Sequence, residues 1–197
     1  MKTILLEIIN AALLAGLLQN LIFTGGFGFT ESLRMAAKPN NVFRSTGFVA
    51  LFSVSVTLIC RSLDLLPQIK AAGRLLHALL FSAVLAAVYS AALGVTVLLR
   101  RSALTKRRLA VCALNSLVLS LPYIAYKSAF TFAETAGLAL GAAAAYLIAA
   151  VLLKEGIEKL RENTSVPEAF KGNGALFVYA AVLSLAFSGI TGTGITL

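Results

Sequence analysis

The stretch IINAALLAGLLQNLIFTGGFGFT, residues 8–30, carries no charge and lies between Glu7 and Glu31. A helix crosses the ~30 Å hydrocarbon core of a bilayer in about 20 residues, with a range of about 17–25. These 23 residues therefore read as a membrane span. Two features set it apart from an ordinary span. Asn20 falls close to its middle, where a polar side chain is costly unless it finds a partner. Gly25, Gly26 and Gly28 place three glycines in four positions, each less favourable to helix than alanine by ~1 kcal/mol. Backbone loosened in this way inside a membrane must be buried in protein or line a cavity. The segment from Gly25 to Phe29 reads either as a re-entrant break around a cofactor or ion path, or as a helix ending at the cytoplasmic surface before Glu31. It is not a phosphate loop, because no strand precedes it and no Lys-Ser/Thr follows.

The same reading finds five more spans. Charge-free stretches cover residues 45–60, 75–99, 109–126, 135–153 and 172–197, with His77 the only group among them able to take a charge. The stretch 45–60 is short, and must borrow Leu63, Leu65 and Leu66 or let Arg61 snorkel. Composition agrees. Of 197 residues, 59% are apolar and 13% charged, where soluble domains hold about 45–50% and about 25%. No soluble fold hides that much hydrocarbon. The connections, at 31–44, 61–74, 100–108, around Lys127 and at 154–171, are too short for a globular domain. Lys154 to Glu162 continues the fifth helix beyond the membrane with i,i+4 Lys–Glu support, and Asn163 and Pro167 end it. The expected fold is an all-α integral membrane protein, one domain over 1–197.

Seventeen Lys and Arg against eight Asp and Glu give a net charge of +9. These cations fall between apolar runs, where they set orientation and do not signal nucleic acid. Arg34, Lys38, Arg44, Arg100, Arg101, Lys106, Arg107, Arg108, Lys154, Lys159, Arg161 and Lys171 lie on one side. Lys2, Arg61, Lys70, Arg74 and Lys127 lie on the other. The richer side is cytoplasmic by the positive-inside rule, so both termini should face outward. No secretory signal is expected: Lys2 is the only early cation, Glu7 interrupts the apolar run, and no A-x-A site follows. Six helices divide into two inverted three-helix repeats, about 1–99 and 100–197, an arrangement that puts working parts near the midplane. An internal echo fits. Asn20-Leu21-Ile22 in the first span resembles Asn115-Ser116-Leu117 in the fourth.

Asn20, Asn115, Ser116, Ser120 and Pro122 form a candidate pseudo-symmetric midplane site, with the fourth helix broken before Pro122. The plainer alternative is interhelical hydrogen bonding. Glu7 and Glu134 read as ion-path carboxylates or as solvated helix ends, with the second favoured by their nearness to the outer surface. His77, three residues after Arg74, reads as an interfacial residue. Gly137 and Gly141 form a small-xxx-small packing face. Asn163-Thr164-Ser165 matches a glycosylation acceptor but falls on the cytoplasmic side. Cys60 and Cys112 make no CxxC pair or disulfide framework. A single histidine and few intramembrane acids give no metal site, and no nucleophile-base constellation supports a self-contained enzyme.

The C-terminal third resembles a known family. Gly156-Ile-Glu-Lys-Leu-Arg161, then Val166-Pro-Glu-Ala-Phe-Lys-Gly172, then Leu183-Ser-Leu-Ala-Phe-Ser-Gly-Ile-Thr-Gly192 are similar to the end of the Rnf/Nqr A/E-type membrane subunits. The resemblance implies a bacterial inner-membrane subunit of a complex that moves electrons while translocating Na⁺ or H⁺. It also implies an oppositely oriented paralogous partner, with further Rnf/Nqr-type subunits. In that family the two paralogues give cysteines from their first and fourth spans to a shared [2Fe–2S] cluster, which takes four thiolates. Here Gly28 and Ser116 stand at those positions, with Asn20 and Asn115 beside them. Glycine cannot ligate iron, and serine is a poor exchange for thiolate. Cys112, one turn from Ser116, is a conceivable substitute, and Cys60 lies too far along the chain. No cofactor is therefore expected in this chain, which reads as a scaffold or ion-path subunit. The alternatives are an independent homodimeric transporter or channel for a small solute or cation, and an assembly factor.

Overall fold

The computed structural model describes residues 2–36, 42–70, 73–165, 167, 171 and 173–191, with the side chains of Gln68, Lys70, Arg74, Asn173 and Thr191 outside that set. Every regular element among them is helical. In chain order they are α1 (Lys2–Leu13), one π-helical turn (Leu14–Leu18), α2 (Phe29–Ala36), α3 (Val42–Asp64), the single turn α4 (Pro67–Lys70), α5 (Arg74–Leu98), α6 (Ala103–Ala113), α7 (Ser116–Lys127), α8 (Phe132–Glu162) and α9 (Asn173–Thr191).

Four helical stretches among the described residues are long and apolar enough to cross a membrane: Val42–Asp64, Leu75–Leu98, Ala103–Lys127 and Phe132–Glu162. Gly174–Ile190 is a shorter apolar helix. The chain is a multi-pass membrane protein. α8 is the central post and α5 the peripheral one. Only 11% of the most apolar window of α5 is buried, against 61% for α8, so α5 turns hydrocarbon outward around most of its circumference, as a lipid-facing helix does.

Small residues let α8 take its central place. A Cβ at Gly137 would meet the carbonyl of Ile8, and one at Gly141 that of Ala12. The backbone of α1 lies directly on the glycine stripe, the close packing that small-xxx-small faces permit. On its other sides α8 meets α3 and α7. Val49, Phe52 and Val56 of α3, Leu117, Val118 and Leu121 of α7, and Ala142, Tyr146 and Ala149 of α8 share one buried core. The Tyr146 hydroxyl donates to the Glu31 carbonyl at 3.4 Å, tying α2 to the same post.

Element boundaries refine the reading from charge. α3 takes in Arg44 at one end and runs through Arg61 to Asp64, which relieves the shortness of 45–60. α8 continues to Glu162 with Asn163 as its C-cap and a Lys154–Glu158 pair at 3.7 Å. Residues 8–30 are not one helix, because regular structure stops at Leu18 and resumes at Phe29. The fourth apolar stretch is broken ahead of Pro122, and not at the proline itself. Pro122 lies inside an unbroken α7, and the interruption falls at Leu114 and Asn115. The cause is local: Asn115 is extended and its side chain caps the new helix, whereas Pro122, seven residues into α7, does not end it. Lys38, Gly192 and most of Val166 to Gly172 lie outside the described residues.

Candidate functional site

The first apolar stretch ends in a widened turn. Gln19 N–H donates to the Leu14 carbonyl at 2.7 Å, an i→i−5 bond of the kind that marks π-bulges, which concentrate at functional sites. Asn20 follows, fully buried. Its Oδ1 accepts from Ile22 N–H at 3.2 Å and Phe23 N–H at 3.4 Å, and its Nδ2 donates back to the Gly16 carbonyl at 3.4 Å. One amide thus ties the helix before the break to the turn after it. That turn ends at Gly26 and Gly28, at φ +70° and +74°, a conformation that disfavours side chains bearing a Cβ.

The fourth span repeats the device more tightly. α6 stops at Ala113, and Asn115 turns extended at φ −85°, ψ 133°. Its Oδ1 accepts from Leu117 N–H at 3.0 Å, capping the N-terminus of α7 as asparagine favours. The two breaks then meet. Gly28 N–H donates to Ser116 Oγ at 2.8 Å. A Cβ on Gly28 would stand 2.7 Å from Asn115 Oδ1 and 3.0 Å from Leu117 Cβ. Asn115 Nδ2 is buried there with no hydrogen-bond partner.

Gly28, Ser116 and Asn115 are thus brought together, and Asn20 holds the opposite end of the first break. Ser120 donates to the Leu117 carbonyl at 2.9 Å, an ordinary bond within its own helix. Ser116 and Ser120 line a cavity of about 360 Å³ with Phe27, Phe81 and Tyr123. α9 closes the other flank: Phe187 stacks on Phe23 at 5.1 Å, and Ser184 Oγ donates to the Phe23 carbonyl at 2.5 Å. No sequence signal marked that closure.

The remaining candidates separate. Glu134 and Thr131 form a capping box at the start of α8, and Thr131 Oγ1 also lies 3.4 Å from Glu7 Oε2. Both acids are partly exposed at one end of the bundle. Cys60 and Cys112 are free, buried thiols on α3 and α6. Among the described residues no three His, Cys, Asp or Glu side chains gather as a metal would require. His77 is fully buried within the bundle, 3.6 Å from Asp64 and stacked on Tyr126, because α3, α5 and α7 converge over it.

No family profile matches the chain. Over 84 residues it is 34% identical to the A-type member of the "Proton-translocating ferredoxin:NAD(+) oxidoreductase complex" of Clostridium ljungdahlii, a match that covers 43% of this chain and 43% of that protein. The chain is distantly similar to the A-type membrane component of an Rnf complex. The likeness agrees with the resemblance read from Gly156 to Gly192, and it extends to less than half of either protein.

Proposed function

We propose that this chain is a membrane subunit of an Rnf-type ion-translocating electron-transport complex, paired with an oppositely oriented paralogue and serving as a scaffold or ion-path element without iron ligands of its own. It crosses the bacterial plasma membrane six times as two inverted repeats. α1 with its π turn, α3 and α5 form the first, and α6–α7, α8 and α9 the second, with both termini outside the cytoplasm. The observation that carries this reading is the bond from Gly28 to Ser116. The resemblance puts the family's cluster-ligand positions at these two residues, and they meet at 2.8 Å where two broken stretches come together.

The cluster-free part rests on the side chains present. Gly28 has no ligating atom, and its positive φ and the nearness of Asn115 leave a Cβ no room. Ser116 Oγ already accepts a backbone N–H. These residues, with two thiols buried elsewhere, do not fit a centre that takes four thiolates. What the arrangement does provide is two opposed broken helices sealed by two asparagines, a rigid midplane against which a partner packs. Ser116, Gly25 and Gly26 are exposed.

Mild-detergent purification of the tagged chain from its native membranes, with mass spectrometry of the proteins that accompany it, tests the reading. Flavin- and iron–sulfur-bearing subunits should co-purify. Recovery of the chain alone, or only with itself, would overturn the complex in favour of an independent transporter. Stoichiometric iron with acid-labile sulfide in the chain would overturn its cluster-free character.

A further inference from the structure

Asp64 ends α3 and His77 lies one turn inside α5, and their side chains face each other at 5% and 0% exposure. His77 Nε2 stands 3.6 Å from Asp64 Oδ1, and neither atom has a hydrogen-bond partner. At the other edge of the ring, Nδ1 lies 3.2 Å from the carbonyl oxygen of Gly73. A carbonyl only accepts, so Nδ1 carries a hydrogen. An ionised carboxylate also only accepts, and a neutral imidazole has one N–H to serve both edges. One further proton on the line between Nε2 and Oδ1 removes the conflict. It sits on the ring, as imidazolium facing carboxylate, or on Asp64, as a carboxyl donating to Nε2.

The surroundings suit such a proton. Tyr126 lies over the imidazole at 4.1 Å with 28° between planes, and Phe81 meets it edge-on at 5.9 Å. An aromatic face attracts a cation placed on it. The charged and titratable neighbours are Arg61 and Cys60 of α3 and Tyr126 of α7, with Lys127 exposed beside the last. Lys70 and Arg74 belong to the same connection. Arg61, whose Nε is itself buried without a partner, places a like charge near any further proton.

We propose that Asp64 and His77 form a proton-binding site that holds one exchangeable proton where the ends of α3 and α7 meet the start of α5. Its use as the outer terminus of a proton path rests on the proposed place in an Rnf-type complex, while the binding of the proton does not. His77 is the only histidine in the chain, so ¹⁵N-labelled histidine in the full chain, in lipid nanodiscs, reports on this ring alone. NMR across pH should show Nδ1–H throughout and a single step at Nε2, from a nitrogen that carries the proton or accepts it from Asp64 to one with no proton on that line. Asp64→Asn should lower the proton affinity of that step by about tenfold or more, as loss of an adjacent opposite charge does, and Arg61→Gln should raise it. An Nε2–H tautomer at all pH values, or a step that neither variant moves, would overturn the site. A shifted step with unchanged proton flux in the reconstituted Asp64→Asn complex would keep the site and remove its role in translocation.

Discussion

The two breaks use the same residue to opposite ends. Asn20 and Asn115 are both buried, and each accepts the backbone N–H two residues on, from Ile22 and Leu117. After Asn115 the chain enters a helix of 12 residues. After Asn20 it makes one turn, with Thr24 and Gly26 bonding back to Asn20 and Ile22 at 3.0 and 3.1 Å, and then leaves the helix through two left-handed glycines. An asparagine restarts a helix, and the residues after it decide whether that helix continues. Glycine at positive φ is the usual stop. The first apolar stretch therefore has a long interruption and the fourth a short one, and the long one reaches across to bond the short one at Ser116.

Gly28 is where this difference is most exposed to mutation. Alanine there would combine backbone strain at φ +74° with a Cβ 2.7 Å from Asn115 Oδ1. We expect Gly28→Ala to destabilise by about 2–4 kcal/mol, read as a fall in Tm in detergent. Gly26 shares the left-handed backbone but would place its Cβ in open space, so Gly26→Ala should cost only the strain, about 1–2 kcal/mol. Equal losses would mean that the contact with the second break contributes nothing. Ser116→Ala comes next. It leaves the Gly28 N–H without an acceptor, at about 1–3 kcal/mol, and Ser116→Thr should recover part of that loss.

The asparagines sharpen the comparison further. Asn115→Ala removes a helix cap, worth typically ~1 kcal/mol, and also deletes a buried amide nitrogen that has no partner, so the net loss should be small. Asn20→Ala breaks hydrogen bonds on both sides of its break and should cost more than Asn115→Ala. The reverse order would mean that the first break is held by its glycines alone.

Much of this was legible in the sequence, for physical reasons that differ by element. Charge-free length marks spans because a bilayer penalises charge, and it placed α5 and α8 well. Three glycines in four positions announced the first break. The second break was announced only by the asparagine echo, and Pro122 drew attention two turns too far along, because it lies in the interior of an α7 that runs on past it. The meeting of Gly28 and Ser116 was suggested by family resemblance, since no periodicity links positions 88 apart. The Asp64–His77 pair was missed because both residues sit near span ends. Burial there depends on α7 bringing Tyr126 over them, which is tertiary packing that no local pattern encodes.

The smallest expected effect decides between two readings of an acid. Glu134 accepts from Thr131 N–H at 2.7 Å while Thr131 Oγ1 accepts from Glu134 N–H at 3.2 Å. In such a box glutamine serves nearly as well as glutamate, because the side-chain oxygen is retained. Glu134→Gln keeps the hydrogen bond and removes the charge, so stability should stay within about 0.5 kcal/mol. Ion flux through the reconstituted complex should be unchanged as well. An ion-path carboxylate would behave differently: the amide cannot carry a proton or balance a cation, and flux would collapse while Tm held. Thr131→Val makes the complementary cut. It removes the hydroxyl that caps α8 and lies near Glu7, and should lower stability by ~1 kcal/mol with flux untouched. If Glu134→Gln stops flux and Thr131→Val does not, Glu134 belongs to the path and not to the helix.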